Sequence, residues 1–210
     1  YKDSSYDWIS GLSSVIFNPL GDHNGSIPVA LISTYNNMGE IKTNNWAGCI
    51  MNDGTVRAWG LGTSGQLGTG DLLTHTRPVQ PKFPTGTKIV SYYGVYNNAY
   101  YIDSNGQLWA SGQNSNGSQG TGSANAIPTL VSGKGDLPLT TKVASVFFGT
   151  DHYGADSISI GCIDVNGVVY TWGYNGNGQL GDGTTTDRST PYKLTWTVTN
   201  PCKFGCFSGY

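Results

Sequence analysis

Short runs of alternating apolar and polar residues follow one another along the chain, and glycine, asparagine or aspartate closes most of them. The run at 168–172, VVYTW, is β-branched and aromatic, the residue types that fit a pleated surface. Comparable runs stand at 29–33 (VALIS), 46–50 (WAGCI), 55–59 (TVRAW), 87–94 (TKIVSYYG) and 141–149 (TKVASVFFG). Period two over four to eight residues predicts strands. LSSVIF at 12–17 and LTWTVT at 194–199 predict two more. No window sustains a period of 3.6, and glycine recurs too often for helix, so helix content near zero is expected.

The runs recur in a fixed order, which makes the chain a repeat protein. Residues 53–70 read DGTVRAWGLGTSGQLGTG, 105–122 read NGQLWASGQNSNGSQGTG, and 166–183 read NGVVYTWGYNGNGQLGDG. Each copy opens on Asp/Asn-Gly at Gly54, Gly106 or Gly167, a pair that predicts a two-residue hairpin turn. Six residues on stands Gly60, Gly112 or Gly173, and a later G-x-G pair begins at Gly68, Gly120 or Gly181. Pro78, Pro128 and Pro191 follow the three copies. The openers TKIVSYYG and TKVASVFFG match as well, so the repeat extends beyond its turn. Four strands per unit of this length is the size of a propeller blade. The expected organisation is a lead-in at 1–28, repeats at 29–85, 86–138 and 139–193, and a C-terminal strand with a cysteine-containing tail at 194–210. Loops inserted in the repeats, the longest around 150–159, are expected on one face.

Composition narrows the function classes. Only 11% of residues are charged and the net charge is −2, while 31 residues are glycine. Solubility then rests on hydroxyls and amides, a habit associated with secreted, cell-surface or virion proteins. The 11 lysines and arginines do not cluster, so the electrostatic footprint of nucleic-acid binding is missing. No apolar run reaches the roughly 18 residues of a membrane span. The first residue is Tyr1 rather than Met, which reads as a processed or excised product.

Chemistry-bearing residues are sparse. Cys49 and Cys162 occupy matching phrases, GCIMNDG and GCIDVNG, with Tyr101 in their place in the middle copy. Matching positions predict matching buried environments, so both read as small core residues. Cys202 and Cys206, in PCKFGCF, are a candidate disulfide in an oxidising compartment and a weak zinc signal. Asp22-His23 and Asp151-His152 lie in loops with no third member to complete a catalytic set. No G-x-S-x-G elbow is present, the glycine-rich turns lack a phosphate loop's Gly-Lys-Ser/Thr ending, and Asp182 and Asp187 read as turn residues. Neither cofactor nor metal is expected. Trp59, Trp109 and Trp172 lie in repeated strands and predict blade packing. The candidate binding aromatics are Tyr92, Tyr93, Tyr96, Tyr100, Tyr153 and Tyr174; Tyr93, Tyr96, Asp151, His152, Tyr153 and Tyr174 form the favoured set of binding-loop residues.

These repeats resemble the regulator-of-chromosome-condensation repeat, whose hallmark is G-x-V-[YW]-x-W-G-x-N-x-x-G-Q-L-G. The third copy fits at Gly167, Trp172, Gly173, Asn175, Gly178, Gln179, Leu180 and Gly181. The first fits at Gly54, Trp59, Gly60, Gly65, Gln66, Leu67 and Gly68, with Gly62 where asparagine is expected. The middle copy departs, with Ser111 for Trp and Ser118-Gln119 for Gln-Leu. The resemblance implies an all-β propeller of four-stranded antiparallel blades. Members include a guanine-nucleotide exchange factor that docks on chromatin, plant photoreceptors, secreted inhibitors, domains of large ligases, and bacterial surface and phage-tail proteins. The family shares a scaffold rather than one activity. Family propellers usually close with seven blades, so three repeats imply an array that is incomplete or completed by other chains. The expectation is a non-catalytic binding or structural module of a surface or virion assembly, with a protein or glycan partner and copies of itself as neighbours. The alternatives are an exchange-type regulator and a secreted enzyme inhibitor.

Overall fold

The computed structural model of the chain describes residues 28–33, 46–150 and 157–195. They form twelve strands: β1 (Pro28–Ser33), β2 (Trp46–Met51), β3 (Val56–Gly60), β4 (His75–Val79), β5 (Ile89–Val95), β6 (Asn98–Asp103), β7 (Leu108–Gly112), β8 (Asn125–Leu130), β9 (Val143–Thr150), β10 (Ile158–Asp164), β11 (Val169–Gly173) and β12 (Arg188–Lys193). Consecutive strands pair antiparallel into three four-stranded sheets, β1–β4, β5–β8 and β9–β12, one per repeat. Among the described residues the remaining regular element is a single 3-10 turn at Ser115–Gly117.

Burial explains the apolar pattern. In the second and third sheets the two inner strands are covered on both faces, with β6, β7, β10 and β11 buried at every position, whereas β3 of the first sheet is buried only at Val56 and Ala58. The fourth strands are largely open, which matches their polar sequences HTRPV, NAIPTL and RSTPYK. Two apolar clusters lie between the blades. Ile50, Val56 and Leu67 of the first pack with Ile89, Tyr92, Ala99 and Tyr101 of the second. Ile102, Leu108 and Ala110 of the second pack with Val143, Val146, Ile158 and Trp172 of the third. The Trp172 indole N–H donates to the Ser118 carbonyl 2.9 Å away, across the junction, and the Tyr100 hydroxyl donates to the same oxygen at 2.6 Å.

The hairpins at Gly54, Gly106 and Gly167 have three-residue loops, not two. The Gly54 amide donates to the Met51 carbonyl and the Met51 amide to the Thr55 carbonyl, with φ of +80° at Gly54. This is a type I turn followed by a left-handed glycine, the common three-residue hairpin. Aspartate fastens each loop. The Asp103 and Asp164 carboxylates each accept two amides from their own loop, those of Asn105 and Gln107 and those of Asn166 and Val168. In the first blade Asp53 accepts the Thr55 amide instead.

Cys49 and Cys162 are buried, free and in register, facing Arg57 and Tyr170 across their hairpins. Burial pushes both thiols up, so neither is a thiolate at neutral pH. The strand expected at 12–17, most of that expected at 194–199, and Cys202 and Cys206 lie outside the described residues.

Candidate functional site

Antiparallel pairing sorts the loops onto two ends of the blades. One end carries the short hairpins and the connectors between blades. The other carries the turn from first to second strand and the long loop from third to fourth strand, at 61–74, 113–124 and 174–187. The binding-loop residues divide accordingly. Tyr96 sits in the β5–β6 turn with φ of +45°, and its carbonyl accepts the Trp46 indole N–H of the neighbouring blade at 2.7 Å. Tyr174 opens the third long loop; its amide donates to the Ile158 carbonyl, and its carbonyl accepts the Ser159 hydroxyl. Tyr96 and Tyr174 therefore share the long-loop end, both half-buried. Tyr93 lies within β5 rather than in a loop and packs edge-on against Phe148. Asp151, His152 and Tyr153 lie outside the described residues. Tyr92 and Tyr100 are not available for recognition: at 3% and 0% exposure they are core residues on faces sandwiched between blades.

The long loops are fastened by side chains three residues before each blade-closing proline, a role not seen in the sequence reading. His75 pairs with Asp71 at 3.0 Å. Asn125 donates to the Thr121 hydroxyl and the Ser123 carbonyl at 2.9 and 2.8 Å. Arg188 pairs with Asp182 and lies 3.9 Å over the Tyr192 ring. The fixed offset from Pro78, Pro128 and Pro191 was the available signal, but histidine, asparagine and arginine share no obvious chemistry. A second fastening is visible in the repeat itself. Asn114 and Asn175 each accept, through the side-chain oxygen, the amide five residues on, at Gln119 and Leu180. Asn175 also donates to Asp182 and to the Thr184 and Thr186 carbonyls. In the first blade Gly62 takes the asparagine's place because the loop folds in there; an added Cβ would overlap the Leu73 carbonyl.

Burial pushes the Asp182 carboxyl up, but the Thr184 amide, the Arg188 guanidinium, the Thr184 hydroxyl and Asn175 more than offset it and hold it at about 2. At Asp71 the hydrogen bond from Thr69, with those from His75 and the Leu73 amide, outweighs the upward push of burial, again to about 2. Both values lie below the roughly 3.9 of an unfolded aspartate, so each carboxylate stabilises the fold above that pH, and the stabilisation is lost as pH falls through about 2. Asp71 is 38% exposed, so solvent screening leaves it the smaller share. Urea midpoints at pH 5 and pH 2 are expected to fall further in the wild-type chain than in Asp182→Asn. An equal fall in both would remove Asp182 from the acid response.

The long-loop end also exposes apolar surface. Leu72 and Leu73 are 49% and 59% exposed, and Leu72 is held at φ +53° beside the Asp71 fastening. Ile127 of the next blade, 45% exposed, lies against Gly70 two residues away. At the opposite end a cavity of about 300 Å³ lies under the first connector, lined by Val56, Gln80, Phe83, Pro84, Thr87 and Lys88 among others. Its walls hold no carboxylate, imidazole or thiol. Among the described residues no three histidine, cysteine, aspartate or glutamate side chains gather as a metal set.

Three stacked, glycine-punctuated, four-stranded blades with fastened long loops define a propeller-type repeat protein. The chain carries regulator of chromosome condensation (RCC1) repeats: the profile of that repeat matches residues 53–93 and 166–204. The degenerate middle copy falls between the matches, yet it forms the same sheet. The ultraviolet-B receptor UVR8 of Arabidopsis thaliana is 29% identical over 150 residues, covering 69% of this chain and 31% of the receptor. The human E3 ubiquitin-protein ligase HERC2 is 31% identical over 139 residues, 65% of this chain and 3% of the ligase. Among solved structures, human WBSCR16 superposes with a TM-score of 0.65 at 18% identity, covering 90% of this chain and 44% of that one. Prp20p of Saccharomyces cerevisiae superposes with a TM-score of 0.59 at 21% identity, covering 74% and 37%. The chain thus spans less than half the length of each of these proteins.

Proposed function

We propose that the chain is a non-catalytic protein-binding module that presents the long-loop end of its blades to a partner. One observation carries the reading. The loops at that end are pinned by internal hydrogen bonds, yet the first holds Leu72 and Leu73 out to solvent beside Ile127. Large apolar side chains exposed on a fastened loop have already met their ordering cost, which favours binding. The comparisons add support by scaffold. The Prp20p structure is described with binding to Gsp1p and histones, and the yeast protein is also known bound to Kap60. The location we assign is extracellular, on a cell surface or in a virion, supported by the 11% charged content and the abundance of glycine. A protein or glycan on such a surface and neighbouring copies of the chain are the partners this reading favours.

Paired protein and glycan arrays probed with the wild-type chain and with Leu72→Asp/Leu73→Asp test it. A protein ligand whose affinity falls at least about tenfold in the variant, with an unchanged thermal midpoint, is expected. Ligands that bind both chains equally contradict the assignment of that face. The exchange-regulator reading is favoured by the likeness to Prp20p. Acceleration of nucleotide release from a small GTPase would put it first.

A further inference from the structure

The three long loops show different chemistry to solvent. The first runs Gly70-Asp71-Leu72-Leu73-Thr74-His75, and the third, of equal length here, runs Gly183-Thr184-Thr185-Thr186-Asp187-Arg188. Leu72 and Leu73 thus stand where the third blade has Thr185 and Thr186. The second blade has only Ser123 and Ala124 between Gly122 and Asn125. A blade therefore closes without large apolar side chains at these positions. Leu72 also carries a conformational cost, because its φ of +53° lies where L side chains rarely settle. Folding alone does not account for this exposed pair.

The surroundings add a charge of one sign. The Lys82 amide donates to the Gly68 carbonyl and the Gly70 amide to the Ala126 carbonyl, both at 2.9 Å, so the connector after β4 and the strand β8 are pinned to the same loop. A Cβ at Gly70 would lie 3.0 Å from an Ile127 methyl and 3.7 Å from the Lys82 ammonium nitrogen. The ammonium and the methyl therefore flank the glycine two residues before Leu72. Arg77 is a second exposed cation, on β4 two residues past His75. The carboxylate in this loop, Asp71, is already held by the Thr69 hydroxyl, the Leu73 amide and His75. Neither Arg77 nor Lys82 forms an ion pair among the described residues. The long loop and outer strand of the second blade, 113–130, contain no charged residue. In a chain of net charge −2, this patch is locally positive.

We propose that the patch binds an acidic peptide segment bearing large apolar residues, whose apolar side chains cover Leu72, Leu73 and Ile127 while a carboxylate pairs with Lys82. The assignment rests on the reading of the long-loop end as a docking face and names the chemistry of the partner. Charge complementarity chooses the sign. A basic segment would set cation against cation, and a neutral one would cover Lys82 without pairing it. The leucines supply most of the hold, and the lysine supplies the choice of partner. A membrane surface fits less well, because stable attachment takes a polybasic cluster or a second anchor, and two cations with three aliphatic side chains provide neither.

Selection of a phage-displayed library of random short peptides on the full chain tests the proposal. Enriched sequences are expected to combine Asp or Glu with Leu, Ile, Phe or Trp. A synthetic peptide of such a sequence is expected to bind Lys82→Glu about tenfold more weakly, and to recover when its own acidic residues are replaced by lysine. Lys82 is exposed and is fixed through its backbone amide, so the variant is expected to keep the wild-type thermal midpoint. Leu72→Asp/Leu73→Asp is expected to cost the peptide at least as much. Enriched peptides without acidic residues, or an affinity unchanged in Lys82→Glu, would overturn the acidic partner; if those peptides still bind Leu72→Asp/Leu73→Asp more weakly, the docking face itself stands. Peptides that bind all three chains equally overturn both. A selection that enriches nothing, or a chain that binds phosphatidylserine vesicles in place of peptides, also overturns the proposal.

Discussion

Replacing Trp172 by alanine is expected to lower the free energy of unfolding by about 3–5 kcal/mol, the largest loss we anticipate from a single side chain. The indole is fully buried in the cluster between the second and third blades. Gly120 makes room for it; a Cβ there would lie 2.7 Å from the indole nitrogen. Truncation leaves a cavity between two sheets whose backbones are fixed by their own ladders, so the site cannot collapse to fill it. The lost hydrogen bond to the Ser118 carbonyl is the smaller part, because the Tyr100 hydroxyl still donates to that oxygen. Trp172→Phe separates the two effects and is expected to cost about 1–2 kcal/mol, combining one hydrogen bond with a modest loss of volume. The equivalent Trp59 of the first blade is only half-buried, so Trp59→Ala is expected to cost less than Trp172→Ala. Urea denaturation of the three variants checks the order; a Trp172→Ala loss below that of Trp59→Ala would contradict it.

The middle blade shows why so much of the fold was legible. It has lost the tryptophan and the Gln-Leu pair of the repeat, yet its sheet has the same order and its hairpin the same turn. Strand alternation and the left-handed glycines at Gly106 and Gly112 therefore specify the blade, and those features stand in the sequence. What replaced the tryptophan did not. Ser111 lies 3.1 Å from the Tyr101 hydroxyl, and Tyr101 stacks on Tyr92 at 4.7 Å, so two tyrosines fill the space one indole fills elsewhere. Period two tells which residues share a face. It does not tell whether that face meets solvent or a neighbouring sheet, and so Tyr92 and Tyr100 read as recognition residues. The loop fastenings were hidden for a different reason. His75, Asn125 and Arg188 share a geometric task, and each meets it with its own chemistry. The hairpin length was hidden because Asp-Gly and Asn-Gly serve two-residue and three-residue turns alike; in the second and third blades the aspartate two residues before the Asn-Gly pair, Asp103 or Asp164, holds the longer loop.

Two glycines five residues apart give the sharper test of how the blades are joined. Gly117 and Gly122 have nearly the same left-handed backbone, φ of +77° and +83°. Alanine at either carries the conformational cost of that region, about 1 kcal/mol. Their surroundings differ. Nothing lies within 4 Å of a Cβ at Gly122. A Cβ at Gly117 would overlap Ser189 Cα and sit 2.6 Å from the Arg188 carbonyl oxygen, both backbone of the third blade's outer strand. Backbone cannot rotate away as a side chain tip can, so the strand must shift, and overpacking of this kind costs roughly 1–3 kcal/mol more. The shift acts on the segment that receives the Gly122 amide through the Ser189 carbonyl, and on Arg188, which fastens the third long loop. Gly117→Ala is therefore expected to cost about 2–4 kcal/mol and to raise hydrogen exchange in β12, whereas Gly122→Ala costs about 1 kcal/mol and leaves β12 unchanged. Equal losses would show that backbone conformation alone governs both positions. A larger loss in Gly117→Ala without faster exchange in β12 would show that the clash is relieved on the second blade's side, in the 3-10 turn that holds Gly117.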